Sequence, residues 1–152
     1  MSAVGLEGIE RTVQLTHIWI NDLDERLGWD DKRRSYRLLR AVLQTLRDWL
    51  PINEAADMAA QLPELLRGAF YEHWRPGTTP VRERSKAEFL RRIVRAFEAD
   101  PTIRTEEAVT EVFALLGDKI STGEIGQVRH ALPPDIRAIW ADRVAVVPVG
   151  SD

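Results

Sequence analysis

The chain reads Glu54-Ala-Ala-Asp-Met-Ala-Ala-Gln-Leu-Pro-Glu-Leu-Leu-Arg-Gly-Ala-Phe70 and, 70 residues later, Glu124-Ile-Gly-Gln-Val-Arg-His-Ala-Leu-Pro-Pro-Asp-Ile-Arg-Ala-Ile-Trp140. Both stretches begin with an acidic residue and run into a Leu-Pro pair, after which each supplies an arginine and an aromatic residue. Self-similarity at a fixed offset is typical of a repeated structural unit. The sequence therefore predicts two copies of one helical unit.

The similarity extends well beyond these stretches. At the same offset, residues 16–72 align with residues 86–142 without a gap. Identities are few, but every core candidate of the first copy pairs with an apolar residue of the second. The pairs are Trp19/Phe89, Ile20/Leu90, Leu23/Ile93, Leu27/Phe97, Leu39/Val109, Val42/Val112, Leu43/Phe113, Leu46/Leu116 and Leu50/Ile120. We predict an all-α protein in which two pseudo-equivalent four-helix repeats pack as one compact helical bundle.

The predicted organisation has five parts. Residues 1–15 carry scattered apolar side chains and are expected to form a loosely ordered arm or a frayed lead-in to the first helix. Repeat 1 covers 16–73 and repeat 2 covers 86–142. The linker 74–85 contains prolines and a glycine and shows no helical period. The tail 143–152 is rich in valine, and we expect a mobile tail, with a short extended segment or a contact to a neighbouring chain as alternatives.

Helix boundaries are marked by prolines and by short polar side chains. Pro51 is expected to end the longest apolar stripe of the chain, because proline cannot continue a helix. Leu62-Pro63 and Leu132-Pro133 are predicted to be helix-to-helix corners, since proline suits the first position of a new helix. The acidic run 21–25 is interpreted as a solvated helix face. The predicted helix-starting residues are Thr16, Asp30, Asn53, Ser85 and Ser121.

Composition bounds the class of protein. The 152 residues fit one domain or two small halves that share a core. Cysteine is absent, which excludes disulfides, thiolate zinc sites and cysteine nucleophiles. The net charge of −3 exerts no general attraction toward nucleic acid or anionic lipid. The first residues match neither a signal peptide nor a membrane span, so we expect a cytoplasmic protein that does not bind membranes.

The repeated pattern resembles a known bacterial family. The residues that carry the resemblance are Gln61-Leu62-Pro63-Glu64-Leu65-Leu66-Arg67 and Gly123-Glu124-Ile125-Gly126-Gln127-Val128-Arg129-His130-Ala131-Leu132-Pro133. Together with the two copies of a four-helix pattern, they resemble the domain-of-unknown-function family numbered 2267. The resemblance implies an all-helical, tandemly duplicated small protein without an assigned activity. It implies no catalytic residue.

No pattern of catalytic or ligand-binding residues specifies a reaction. His17, His73 and His130 lie on separate predicted elements, and none has a second ligand at metal-binding spacing. Phosphate-binding loops, nucleophile elbows and Glu-x-x-His pairs are also absent. Glu54 and Glu124 recur in both copies, and we interpret them as favourable charges at helix starts. We therefore predict no catalytic residue, no metal, no cofactor and no enzymatic activity, although convergence of Glu54, Asp118, Glu124 or His130 in a pocket would reopen the question.

Arginines and tryptophans are the remaining candidates for an interaction surface. Arginine stripes run over 32–40 and 82–95, and Arg33, Arg37, Arg40 and Arg47 share one helix face. Five tryptophans are present, of which Trp19, Trp49 and Trp140 fit the core, while Trp29 and Trp74 lie at a turn and in the linker. Exposed rings there would anchor a protein interface. The interaction candidates are Trp29, Trp74, Arg33, Arg37, Arg40, Arg91, Arg92 and Arg95.

The predicted function is a non-catalytic helical interaction module that binds a protein partner or a second copy of itself. The alternative is a nucleic-acid-binding protein that uses the two arginine stripes. Acidic neighbours and the absence of interleaved aromatic residues favour the first function.

Overall fold

The computed structural model describes residues 2–97 and 103–140, with the backbone alone for residues 2–5. These residues form helices joined by short connections and contain no strand, so the predicted all-α class is confirmed. None of the described helices combines the length and the apolar content that a membrane span requires. The helices are α1 (Ser2–Leu27), α2 (Lys32–Trp49), α3 (Ile52–Ala59), α4 (Glu64–Tyr71), α5 (Lys86–Ala96), α6 (Thr105–Lys119), α7 (Thr122–Ala131) and α8 (134–140), with one 3₁₀ turn at Pro76–Thr78.

Helix α2 lies at the centre of the bundle. It packs against α1, α3, α4, α5 and α6, while α1 also packs on α6 and α3 packs on α7. Leucines spaced three and four residues apart give α2 a continuous apolar face, and Leu39, Leu43 and Leu46 are fully buried. Phe89 of α5 and Phe113 of α6 belong to the same core. The two halves of the chain therefore share one hydrophobic core.

Helix boundaries and burial correspond at the predicted offset. Helices α2 and α6 end at Trp49 and Lys119, and α3 and α7 begin at Ile52 and Thr122. Every predicted core pair is buried in both halves except Ile20/Leu90 and Leu27/Phe97, where Ile20, Leu90 and Leu27 are partly buried. At this offset α1 corresponds to α5 and α2 to α6, and α1 packs on α6 as α5 packs on α2. The two-repeat organisation is an inference from these correspondences.

The Leu-Pro pairs form helix-to-helix corners, as predicted. Helix α3 ends before Pro63 and α4 begins after it, and the chain turns in the same way at Pro133. The Arg67 guanidinium donates hydrogen bonds to the carbonyl oxygens of Ala59 and Leu62, both at 3.0 Å. Arg137 donates to the Leu132 carbonyl at 3.0 Å. The repeated arginine therefore satisfies carbonyl groups that a helix end leaves without partners.

The start of α1 differs from the prediction. The helix begins at Ser2, so residues 2–15 are helical and Thr16 is not its N-cap. The Thr16 hydroxyl instead donates to the Thr12 carbonyl at 2.7 Å, as serine and threonine do inside helices. Leu6, Ile9 and Val13 continue the helical spacing, although they remain 59, 60 and 37 % exposed. The sequence did not indicate a helix here because a segment that packs against few neighbours carries few apolar side chains.

The acidic residues between α1 and α2 also differ from the prediction. Asp31, rather than Asp30, caps α2 by accepting a hydrogen bond from the Arg34 amide at 3.1 Å. Asp24 is only 7 % exposed and accepts hydrogen bonds from the Asp31 amide at 3.0 Å and the Ser35 hydroxyl at 2.6 Å. The acidic run 21–25 is therefore not wholly a solvated face, because Asp24 joins α1 to the start of α2.

The other predicted caps have mixed outcomes. Ser85 and Ser121 accept hydrogen bonds from the amides of Glu88 and Glu124, as predicted. Asn53 does not cap α3, because that helix already begins at Ile52 and has no side-chain cap. The tail prediction for 143–152 lies outside the described residues.

Leu46→Ala is expected to lower the free energy of unfolding by about 3 kcal/mol, because the substitution leaves a cavity in a fully buried site. Leu65→Ala is the matched control, since Leu65 is 41 % exposed and its loss is expected to change stability by at most about 0.5 kcal/mol. Urea unfolding followed by circular dichroism measures both. Similar losses for the two variants would contradict the central position of α2.

Candidate functional site

A basic groove runs between α2 and α5. Two adjoining cavities of about 230 and 140 Å³ form it, and both are lined by Ala41, Gln44 and Ala96. The arginines along the groove are Arg37, Arg40, Arg47, Arg92 and Arg95. The two arginine stripes that the sequence places in separate segments therefore meet along one groove.

The apolar faces of the two helices determine this arrangement. Helix α2 buries Leu39 and Leu43, and α5 buries Phe89 and Ile93, so the arginines of each helix are left toward its outer side. Because α5 packs directly on α2, the outer edges of the two helices lie next to each other. Small side chains at the contact leave room for the groove between them.

The groove arginines are held by specific contacts. Arg40 forms an ion pair with Glu72, and Arg92 pairs with Glu88 at 2.8 Å. The Arg37 guanidinium lies 5.0 Å from the centre of the Phe97 ring, within range of a cation–π interaction. Arg95 is exposed and forms no ion pair among the described residues. The groove thus presents guanidinium groups that already bind carboxylates of the same chain.

Other arginines of the predicted stripes do not line the groove. Arg33 is exposed at the start of α2, and Arg91 pairs with Glu88 at 2.6 Å on the exposed side of α5.

Arg47 does line the groove but is only 5 % exposed, and it donates hydrogen bonds to the carbonyl oxygens of Phe70 at 2.9 Å and Glu72 at 2.7 Å. The prediction of Arg47 as a surface cation is therefore wrong. Its main contacts fix the end of α4 against α2.

The tryptophan candidates pack against the body of the protein. Trp29 is partly buried, 6.0 Å from the Phe97 ring, with the Arg34 guanidinium 3.9 Å from its own ring centre. Trp74 is also partly buried and packs on Tyr71 at 5.3 Å. The predicted interface role requires exposed rings, and both Trp29 and Trp74 are partly buried. Trp19, Trp49 and Trp140 are buried, as predicted.

A cluster of carboxylates lies where α3 packs on α7. Glu54 and Asp57 of α3 and Glu124 of α7 place carboxylate oxygens within 4.8 Å of one another. Glu124 is 8 % exposed, and neither its Oε2 atom nor that of Glu54 has a hydrogen-bond donor among the described residues. Glu54 and Glu124 occupy matched positions at the predicted offset. Sequence reasoning found the recurrence but missed the proximity, which follows only once the two short helices are known to face each other.

The cluster favours a proton on one carboxyl group. Burial raises the pKa of Glu124 to about 8, and the hydrogen bond with Glu54 and the negative charges of Glu54 and Asp57 act in the same direction. Protonated Glu124 can donate a hydrogen bond to the Glu54 carboxylate. Helix-start electrostatics alone therefore do not describe these residues, because Glu124 is held against like charge in a buried contact.

A polar contact beside the cluster joins the same two elements. The Gln61 side-chain nitrogen donates to the Ser121 hydroxyl at 3.1 Å, and the Ser121 amide donates to the Gln61 side-chain oxygen at 3.0 Å. Gln61 follows α3 and Ser121 caps α7. This reciprocal pair fixes the position of the α7 start relative to α3.

Other polar groups of the described residues do not converge on a reactive centre. The histidines at 17, 73 and 130 are all exposed and, as predicted, lie on separate segments. A further cavity, of about 400 Å³, lies beside α1 and α6. Its Arg26 is paired with Asp22 at 2.8 Å and also with Asp118. The groove and the carboxylate cluster are the stronger candidates.

Comparison with protein families identifies the family to which most of the chain is similar. A family model described as "Uncharacterized conserved protein (DUF2267)" matches residues 16–139. The match includes α2 to α7, the arginine groove and the carboxylate cluster. No curated protein matches the chain.

Glu124→Gln is expected to stabilise the protein increasingly as pH rises from about 4.5 to about 8, because the folded protein holds the Glu124 proton and the unfolded chain releases it across that range. The difference from wild type should be larger at pH 8 than at pH 5 by about 3 kcal/mol. Urea unfolding at both pH values, with EDTA present, measures it. Glu64→Gln, which removes an exposed carboxylate from the first turn of α4, controls for the loss of charge alone. A Glu124→Gln effect that does not grow with pH would contradict the buried proton.

Proposed function

Because the chain belongs to the DUF2267 family, whose description assigns no activity, we propose its function from its own surface: it is a non-catalytic helical module that binds an acidic segment of a partner protein in the groove between α2 and α5. The observation that carries this proposal is the meeting of two arginine stripes on one groove with small residues along it. The family match supports neither this function nor another.

The chemistry of the groove suits carboxylates. A guanidinium group is planar and offers paired N–H donors that match the geometry of a carboxylate. Arg40 and Arg92 already bind Glu72 and Glu88 of the same chain, so their side chains are positioned to accept an acidic group. These ion pairs are partly exposed and contribute little to stability, so a partner's carboxylates can replace or join them at low cost.

The lining of the groove favours a protein over a nucleic acid. No aromatic ring is among the described residues that line the two cavities, so unpaired bases have no stacking surface there. The small side chains Ala41 and Ala96 allow a peptide backbone to approach closely. Nucleic acid is the second candidate, because the same arginines can contact phosphates, and it would show a steep dependence of affinity on salt.

The exposed face of α1 supports self-association as a separate property. Leu6, Ile9 and Val13 follow the spacing of three and four residues that a helix pair requires, and all three are exposed. Leu65 of α4 is exposed nearby, since its amide donates to the Thr12 hydroxyl at 2.9 Å. A second copy brings the same apolar face, so we propose that two copies pair through α1.

Reversing the charge of the groove is expected to weaken binding of an acidic peptide at least tenfold. The variant carries Arg92→Glu and Arg95→Glu, and the probe is a fluorescein-labelled Glu-rich 15-residue peptide followed by anisotropy. Arg82→Glu is the matched control, because it reverses an exposed charge outside the described groove lining and should leave affinity within about twofold.

A labelled DNA duplex and a single-stranded oligonucleotide are titrated in parallel with the peptide. Tighter binding of either nucleic acid, lost in the same groove variant, would contradict the protein-binding proposal and favour the alternative. Equal weakening of peptide binding by Arg82→Glu would show that net charge, and not the groove, attracts the probe.

Ile9→Glu is expected to shift a self-associating population to the monomer, because it places a charge in the apolar face of α1. Sedimentation velocity of wild type and variant over about 10–200 µM measures the change. Arg11→Glu, exposed on the opposite side of the same helix, is the control and should leave the distribution unchanged. A wild-type protein that remains monomeric at the highest concentration would contradict pairing through α1.

A further inference from the structure

The carboxylate cluster between α3 and α7 carries an inference that is independent of the arginine groove. We propose that Glu54, Asp57 and Glu124 bind one hard divalent cation of the Mg²⁺, Mn²⁺ or Ca²⁺ class, which joins α3 to α7. The sequence predicts no metal site, because Glu54, Asp57 and Glu124 do not have a metal-binding spacing along the chain.

The donor set fits this class of cation. All three side chains offer carboxylate oxygens, and hard cations prefer oxygen ligands to nitrogen or sulfur. The oxygens lie within 4.8 Å of one another, close enough for one ion to contact all three after small side-chain movements. Glu54 and Asp57 are separated by one helical turn, so they project from the same side of α3, and Glu124 approaches from α7.

The described residues supply no positively charged side chain to the cluster. Glu124 is 8 % exposed, and its Oε2 atom is buried without a donor among the described residues. The Oε2 atom of Glu54 is also buried without a donor among these residues. No lysine, arginine or histidine of the described residues forms an ion pair with any of the three carboxylates. Buried carboxylates are normally neutralised by a cation, by donors or by a proton, and no side chain here supplies the first two.

Exposure differs among the ligands in a way that allows ion entry. Glu124 is buried, Glu54 is partly buried and Asp57 is exposed. The exposed carboxylate gives a hydrated ion a first contact, and the buried one lies deeper in the contact between helices. The remaining positions around the ion would be taken by water, which suits ions that keep part of their hydration shell.

Thermal unfolding of the metal-free protein with added MgCl₂, MnCl₂ or CaCl₂ tests the proposal. At a concentration about a hundred times Kd, the ion is expected to raise Tm by on the order of 5 °C or more. Isothermal titration with each of the three ions measures Kd directly. Glu124→Gln and Asp57→Asn should each weaken binding at least tenfold.

Glu106→Gln is the matched control, since Glu106 is an exposed first-turn glutamate of α6 outside the cluster, and it should leave the metal effect unchanged. Glu124→Gln also removes charge repulsion and can raise Tm by itself. The quantity compared between variant and wild type is therefore the change in Tm on adding metal. Absence of a shift with all three ions up to about 10 mM would overturn the proposal. A shift retained in Glu124→Gln would overturn it as well.

Discussion

Burial of the apolar face of α2 determines how the other helices are arranged. Leu39, Leu43 and Leu46 are fully buried, and the helices around them come from both halves of the chain. Once this face is directed inward, Arg37 and Arg40 of α2 remain toward the outer side, whereas Arg47 is buried by its contacts with α4. The packing of α5 on α2 then brings a second set of arginines to the same groove. The basic groove is therefore a consequence of core formation and needs no separate folding element.

The contact between α3 and α7 differs from the others, because it includes a cluster of carboxylates beside its apolar residues. Most helix contacts in this protein bury apolar side chains, whereas this one brings Glu54 and Glu124 together with Asp57. Such an arrangement opposes folding unless a proton or a cation occupies it. The Gln61–Ser121 hydrogen bonds hold the helices in this position nonetheless. A proton on Glu124 relieves this repulsion, and the cation that we propose would do the same.

The sequence predicted what depends on local spacing and missed what depends on which helices face each other. The core pairs and the Leu-Pro corners are properties of single helices and their ends, so periodicity and proline placement indicated them. The burial of Arg47, the role of Asp24 and the carboxylate cluster each require a second element to be in place, and no pattern along the chain reports that. The helical residues 2–15 were missed for the opposite reason, since an exposed helix buries little that a pattern can reveal.

Native-state hydrogen exchange tests whether one core joins the two halves of the chain, because it measures the stability of each half in the same experiment. If one core joins the halves, the slowest amides of α2 and α6 open only by global unfolding. The account predicts equal opening free energies for these amides, within about 0.5 kcal/mol, and an equal response of both to denaturant. Protection in α6 that is lower than that in α2 by several kcal/mol, or the reverse, would show two independently unfolding halves and contradict the account.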